Sequence, residues 1–258
     1  MPFIRADRPL CRRLVLAIDG LEKQGKTHFA LTAPPPIYML SFDAGSEGVV
    51  QKFQHQKAIH EAEYKVPRPK KGMTESQVIE QMDRVWEQFI EDYETALTEA
   101  ATVVVDTASE MWELLRLARL GKLLQVKPHH YTQCNQEYRD MIRLAIDGTA
   151  NLILLHKMKA EWLETNGKAN KTGRFERLGF GETGFLAQMN AHSWRDLDGA
   201  FHLTLKDSRH NPDLAGADLS GPMLDFDTLL DLVFGENDSS SVTQPNGSSS
   251  ITSNDVSG

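Results

Sequence analysis

The stretch Gly20-Leu21-Glu22-Lys23-Gln24-Gly25-Lys26-Thr27, followed by His28, matches the phosphate-binding pattern G-x-x-x-x-G-K-[ST] at every fixed position. These residue types dictate one kind of chemistry. The glycines at the two ends permit backbone angles that a Cβ would forbid. The loop can then turn its N–H groups inward and hold an anion. Lys26 would reach the β- and γ-phosphates of a nucleotide, and Thr27 would ligate magnesium. Every residue from Gly20 to His28 is therefore a candidate nucleotide contact. The plain alternative is a chance match in a surface loop.

A second signal is Ala101-Thr102-Val103-Val104-Val105-Asp106, a β-branched run that closes on an aspartate. Lying next to the strand of the phosphate loop, it would set Asp106 beside the magnesium, which makes Thr27 and Asp106 the expected metal pair. Many strands end in aspartate, so the pairing with the phosphate loop carries the reading. Asp43 and Glu47, in Asp43-Ala44-Gly45-Ser46-Glu47-Gly48, fall just past another strand, where open α/β sheets bind ligands. His156, after the strand Asn151-Leu152-Ile153-Leu154-Leu155, would either sense the γ-phosphate or cap the sheet. Lys206 and Arg209 end a late strand; they would contact the phosphates of a neighbouring subunit's nucleotide, or make ordinary salt bridges in a surface turn.

These groups need elements to position them. Leu14 to Ile18 is an apolar run that predicts a buried strand ahead of the phosphate loop. A helix runs from Lys26 to Leu31 and is stopped by Pro34-Pro35-Pro36, since proline lacks the N–H a helix needs. Ile37 to Phe42 is the second strand, Val49 to Gln56 a short helix, and Lys57 to Gly72 a surface loop without clean period. Thr74 to Ala100 predicts a long helix: Val78, Met82, Val85, Trp86, Phe89, Ile90, Tyr93 and Leu97 recur at three- and four-residue steps, and Thr74 with Gln77 resembles a capping box. Further helices are expected over Glu110–Leu124, Gln133–Ile146 and Phe226–Phe234, and further strands over Thr149–Leu155, Ala191–Leu197 and Ala200–Lys206. Strands alternating with helices predict an α/β fold with a mostly parallel sheet.

Lys157 to Gly184 changes character. Lys157, Lys159, Lys168, Lys171, Arg174 and Arg177 are interleaved with Trp162, Phe175 and Phe180 and with five glycines, Gly167, Gly173, Gly179, Gly181 and Gly184. Cations attract phosphates and aromatic rings stack on bases, so this segment is the candidate contact for single-stranded DNA. A solvated β-hairpin is the plain alternative, and Glu161, Glu164, Glu176 and Glu182 dilute the basic charge.

Composition sets the bounds. The 258 residues suit one large domain, here 14–235, between an N-terminal arm at 1–13 and a tail at 236–258. The tail is rich in Ser, Asn, Thr and Gly and is expected to be disordered; it would recruit a partner or be inert. A net charge of −8 argues against a globally basic nucleic-acid coat but leaves room for a local basic site. Cys11 and Cys134 have no metal-like spacing and are expected as reduced thiols. No apolar run approaches the roughly 20 residues that span a bilayer. The expectation is a cytoplasmic protein with no membrane partner.

The loop GLEKQGKT, FDAGSEG after the second strand, TVVVDT, ANLILLH and LTLKDSR occur in the order of the RecA-like core. Over about Leu14 to Val233 the chain resembles the phage-encoded AAA-type P-loop ATPases that include the Sak-type single-strand annealing ATPases. The resemblance implies a RecA-like fold, binding of ATP and Mg2+, assembly into a homo-oligomer (ring or filament), and work on single-stranded DNA in recombination or replication, in the host cytoplasm if phage-encoded. By position it makes Lys26 and Thr27 the phosphate and magnesium residues and Asp106 the metal's acidic partner. The family's catalytic carboxylate falls two residues past the aspartate of the second strand; Gly45 stands there, which leaves Glu47 and Asp43 as candidates. Arg209 falls where related ATPases complete a neighbour's site, and 157–184 where a DNA-contacting loop lies. Two other functions remain open: a nucleoside or nucleotide kinase, which would need an acceptor site and an Arg-rich lid, and a nucleotide-dependent DNA-binding scaffold that does not hydrolyse.

Overall fold

The computed structural model describes residues 11–67, 70–121, 127–165 and 168–235, with Lys168 described in its backbone only. Most of the N-terminal arm and all of the tail from 236 lie outside the described residues, and with them the expectations for those segments. The chain opens with β1 (Val15–Asp19), the phosphate loop, α1 (Lys26–Ala30), β2 (Ile37–Ser41) and α2 (Val50–Phe53). It continues through β3 (Ile59–Glu63), α3 (Glu75–Glu99), β4 (Thr102–Asp106), α4 (Ala108–Leu120), α5 (Thr132–Asp147) and β5 (Asn151–His156). A hairpin of β6 (Met158–Thr165) and β7 (Lys168–Arg177) follows, then α6 (Thr183–Leu186), β8 (Met189–Arg195), β9 (Phe201–Ser208), β10 (Asp218–Ser220) and α7 (Phe226–Phe234).

Eight strands form one sheet in the order β10-β9-β8-β1-β5-β4-β2-β3. From β8 through β3 all neighbours are parallel; β9 and β10 join antiparallel at one edge. Every position of β1, β4 and β5 is buried, as a parallel sheet covered on both faces requires. The two-residue period divides these strands between two cores. Val15, Ala17, Val103, Val105, Leu152 and Leu154 face α3, α4 and α5. Leu16, Ile18, Val104, Ile153 and Leu155 face the side covered by α1 and α7. This is the mostly parallel, helix-flanked α/β sheet that the alternation of strands and helices predicts.

The long helix forms for the expected reasons. Thr74 accepts from the Gln77 N–H and Gln77 reaches back to the Thr74 N–H, a complete capping box. Val78, Met82, Trp86, Phe89 and Tyr93 line its buried face. Phe89 sits at the centre of an aromatic cluster, with ring centroids 5.2 Å from Phe42, 5.5 Å from Tyr64, 5.3 Å from Trp86 and 5.8 Å from Tyr93.

Three placements differ from expectation. Residues 57–72 are not all loop: Ile59–Glu63 adds β3 to the sheet edge, parallel to β2. Its half-exposed sequence, Ile-His-Glu-Ala-Glu, lacks the alternation of a buried strand. The three-residue β10 gives no sequence signal. The expected adjacency of β4 and β1 is wrong as well, because β5 lies between them.

Phe89→Ala should cost about 3–5 kcal/mol of stability, the usual range for emptying a buried aromatic site. Urea unfolding measures this, and a midpoint within error of wild type would show that the cluster closes over the gap.

Candidate functional site

The phosphate loop joins β1 to α1 at the carboxyl end of the sheet. Gly25 has φ 87°, in the left-handed region that favours glycine, and a Cβ there would lie 2.9 Å from the Phe201 ring. A Cβ on Gly20 would run into the Ser193 carbonyl oxygen. The Ser193 hydroxyl donates to the Gln24 carbonyl. The loop is thus seated against β8 through Ser193 and β9 through Phe201. Leu21, Glu22 and Lys23 are exposed on its outer side, and His28 packs edge-on against Phe53 with centroids 4.9 Å apart.

Lys26 Nζ donates to the carbonyls of Gly20 at 2.8 Å and Leu21 at 2.7 Å. Burial lowers its pKa, opposed by the charges of Asp106, Asp19 and Asp43. Thr27 Oγ1 donates to Asp106 Oδ2 at 2.7 Å. The intervening β5 does not prevent this, because α1 packs over β5 and carries Thr27 across to the end of β4. Burial pushes the Asp106 carboxyl up to about 6; the Thr27 hydrogen bond opposes this, Asp43 adds to it, and Lys26 and Lys157 oppose it. A cation at this carboxylate would relieve the desolvation that raises it.

The residues fit a phosphate group and its metal. The positive φ of Gly25 shapes the loop's turn into α1, and the hydroxyl–carboxylate pair Thr27–Asp106 offers hard oxygen ligands. His156 is fully buried; its Nδ1 lies 3.2 Å from the Leu178 carbonyl, and its Nε2 has no partner among the described residues. Burial and then the charge of Arg177 hold its pKa down to about 3, so its ring is neutral.

The two candidate carboxylates are placed differently. Asp43 caps a short turn by accepting from the Gly45 N–H at 2.9 Å, and pairs with Lys157 Nζ at 3.1 Å. Its charge acts on both Lys26 and Asp106. Glu47 lies at the far end of that turn and is exposed. Arg209, just past β9, is exposed and donates to the Phe185 carbonyl at 2.7 Å.

The six candidate DNA contacts separate into two groups. Lys159 pairs with Glu176 at 3.2 Å, Lys171 lies 5.2 Å from the Trp162 ring centroid, and Arg174 is exposed, all on the hairpin; the Lys168 side chain lies outside the described residues. Lys157 and Arg177 sit instead at the hairpin's roots, turned toward the phosphate loop. Lys157 pairs with Glu110 at 2.8 Å as well as with Asp43. Burial works against its charge, but these two hydrogen bonds raise its pKa above the ordinary value.

Arg177 leads to a residue that sequence reasoning passed over. Asp19, the last residue of β1, is 1% exposed. Its carboxylate accepts from Arg177 at 3.1 and 3.2 Å and from Lys206 at 2.9 and 3.0 Å, and lies 2.7 Å from His192 Nδ1. Burial alone would raise its pKa. The hydrogen bonds from His192 and Lys206 and the charges of Arg177 and Lys206 outweigh burial and hold it well below the usual carboxylate range. An aspartate closing an apolar strand directly before Gly20 was the available signal. Lys206, for which a neighbour's phosphates and an ordinary salt bridge were the two expectations, makes a salt bridge within its own chain.

A protein-family model described as "AAA domain" matches residues 12–206, a span that runs from the lead-in to β1 to Lys206. No curated protein matches the chain. No helix among the described residues is long and apolar enough to cross a membrane.

Asp19→Asn should destabilise the protein by about 3 kcal/mol at neutral pH, because it leaves the Arg177 and Lys206 charges without their buried partner. Asp19 has a depressed folded-state pKa, so its contribution is full above its unfolded value of 3.8 and is lost as pH falls through the folded value. Urea unfolding at pH 7 and at pH 3 measures both parts. The gap between wild type and variant should be smaller at pH 3 than at pH 7, because pH 3 lies below the unfolded value; a gap that is equal at both pH values or widens in acid contradicts this sign.

Proposed function

The chain belongs to the AAA domain family of P-loop ATPases, and we propose on that premise that it binds and hydrolyses ATP with magnesium and acts on single-stranded DNA as a homo-oligomer, in an annealing or recombinase role of the phage type. The observation that carries the nucleotide part is the Thr27–Asp106 contact, which joins the phosphate loop to the end of β4 at 2.7 Å.

Catalysis on such a site is mostly positioning and charge neutralisation. Lys26 exchanges the carbonyls of Gly20 and Leu21 for the phosphates. Thr27 and Asp106 would hold the magnesium, which when bound supplies Lewis-acid neutralisation of phosphate charge. Asp43 orients the attacking water, its charge acting on both Lys26 and Asp106 favouring it over the exposed Glu47. Arg209, exposed at the surface, would reach from one subunit into the next.

The DNA part rests on the hairpin. Trp162 and Phe175 are 55% and 51% exposed, and Lys171 and Arg174 stand beside them. Exposed rings with nearby cations provide stacking surfaces and phosphate contacts that tolerate any base.

Lys26→Ala should lower ATP turnover by about 10²-fold or more, the scale of losing a charge-stabilising contact; undiminished phosphate release by that variant would sink the hydrolytic reading. Trp162→Ala together with Lys171→Glu should weaken binding of an oligo-dT strand by about tenfold or more, the scale of one lost stacking contact. Fluorescence anisotropy at fixed salt reads this change. Equal affinity of the double variant and wild type would remove the hairpin from the DNA site.

A further inference from the structure

Besides its two-stranded pairing, the β6–β7 hairpin has a charged tie at each root, one to Asp43 at the end of β2 and one to Asp19 directly before the phosphate loop. At the first root the Lys157 ammonium bridges Asp43 and Glu110. The Lys157 backbone N–H donates to Ser109 Oγ at 2.9 Å, and that hydroxyl donates to the Leu178 carbonyl at 2.6 Å. The Leu178 N–H returns to the Lys157 carbonyl at 2.8 Å, so the two roots are closed on each other. At the second root Arg177 holds Asp19, the residue before the phosphate loop. Beyond the roots, Phe175, Glu176 and Arg177 border a cavity of about 730 Å³ that also reaches Asp19 and Lys206. The hairpin therefore has space beside it and charged ties beneath it.

Asp43 stands under the charge of two lysines, Lys26 in the phosphate loop and Lys157 at the hairpin root. Phosphates arriving at Lys26 bring negative charge next to Asp43. The pair that fixes Asp43 must then redistribute, and its cation belongs to the hairpin.

We propose that Lys157 is a positioning residue that couples the β6–β7 hairpin to the nucleotide site through its ion pair with Asp43. Nucleotide binding shifts the Lys157–Asp43–Glu110 arrangement and with it the hairpin's root. Coupling is reciprocal, so whatever the hairpin binds acts back on the placement of Asp43. The inference rests on the nucleotide-binding reading above, and it does not require the hairpin's ligand to be DNA.

The test is hydrogen exchange at the hairpin amides of the full chain, with and without magnesium and the non-hydrolysable analogue adenylyl imidodiphosphate. Calorimetry on the same samples reads nucleotide binding. In wild type the analogue should change hairpin exchange by about fivefold or more, the lower end of typical coupling. Lys157→Met should bind the analogue yet lose that change, and Lys157→Arg, which keeps the charge, should retain it. A hairpin response that survives in Lys157→Met, or is absent from nucleotide-bound wild type, overturns the coupling alone. Calorimetry that finds no nucleotide binding by wild type overturns the nucleotide reading and the coupling with it.

Discussion

The Asp19 carboxylate holds the architecture around the phosphate loop together. It is buried at the carboxyl end of β1, and three elements reach it: Arg177 from the hairpin, His192 from β8 and Lys206 from β9. Such a charge is tolerated in the interior only because the Arg177 and Lys206 cations and the His192 ring fill its hydrogen-bonding capacity. In return it fixes the segment that enters the loop. The loop then presses on the same strands through Gly20 on Ser193 and Gly25 beneath Phe201. A motif that is local in sequence is thus held by contacts from far along the chain.

That arrangement separates the two jobs of the site. Lys26, Thr27 and Asp106, the residues proposed to take phosphate and metal, lie on the β5–β4 side of β1. The Asp19 cluster occupies the opposite, β8–β9 side, where one carboxylate is shared by the Arg177 and Lys206 charges. Asp43 and Lys157 lie on the phosphate side, where a single ion pair connects the end of β2 with the residue that opens the hairpin.

How much of this was legible in the sequence follows the range of the interaction. The phosphate loop, the TVVVD strand and the amphipathic face of α3 are written in local spacing, and the buried strands announce themselves as unbroken apolar runs. Thr27 and Asp106 are grouped at one metal by the sequence, but not in direct contact and through the wrong neighbour, since nothing in a strand's composition says which strand lies between. The edge strands β3 and β10 are half-exposed or very short, so no burial pattern marks them. Partners were the least legible part. Lys157 and Arg177 look like their basic neighbours in sequence, and only the folded chain shows that two of that series point inward to carboxylates from other elements.

The seat of Gly25 under Phe201 has a consequence for how this chain can be divided. A fragment ending after β5 would keep the whole phosphate motif, Asp43, Asp106 and His156. It would lack Ser193, Phe201, Lys206 and Arg177, the groups against which the loop and its lead-in rest. Each half would hold an incomplete binding site, so a split between β5 and β8 makes nucleotide recognition report on whether the two pieces have found each other.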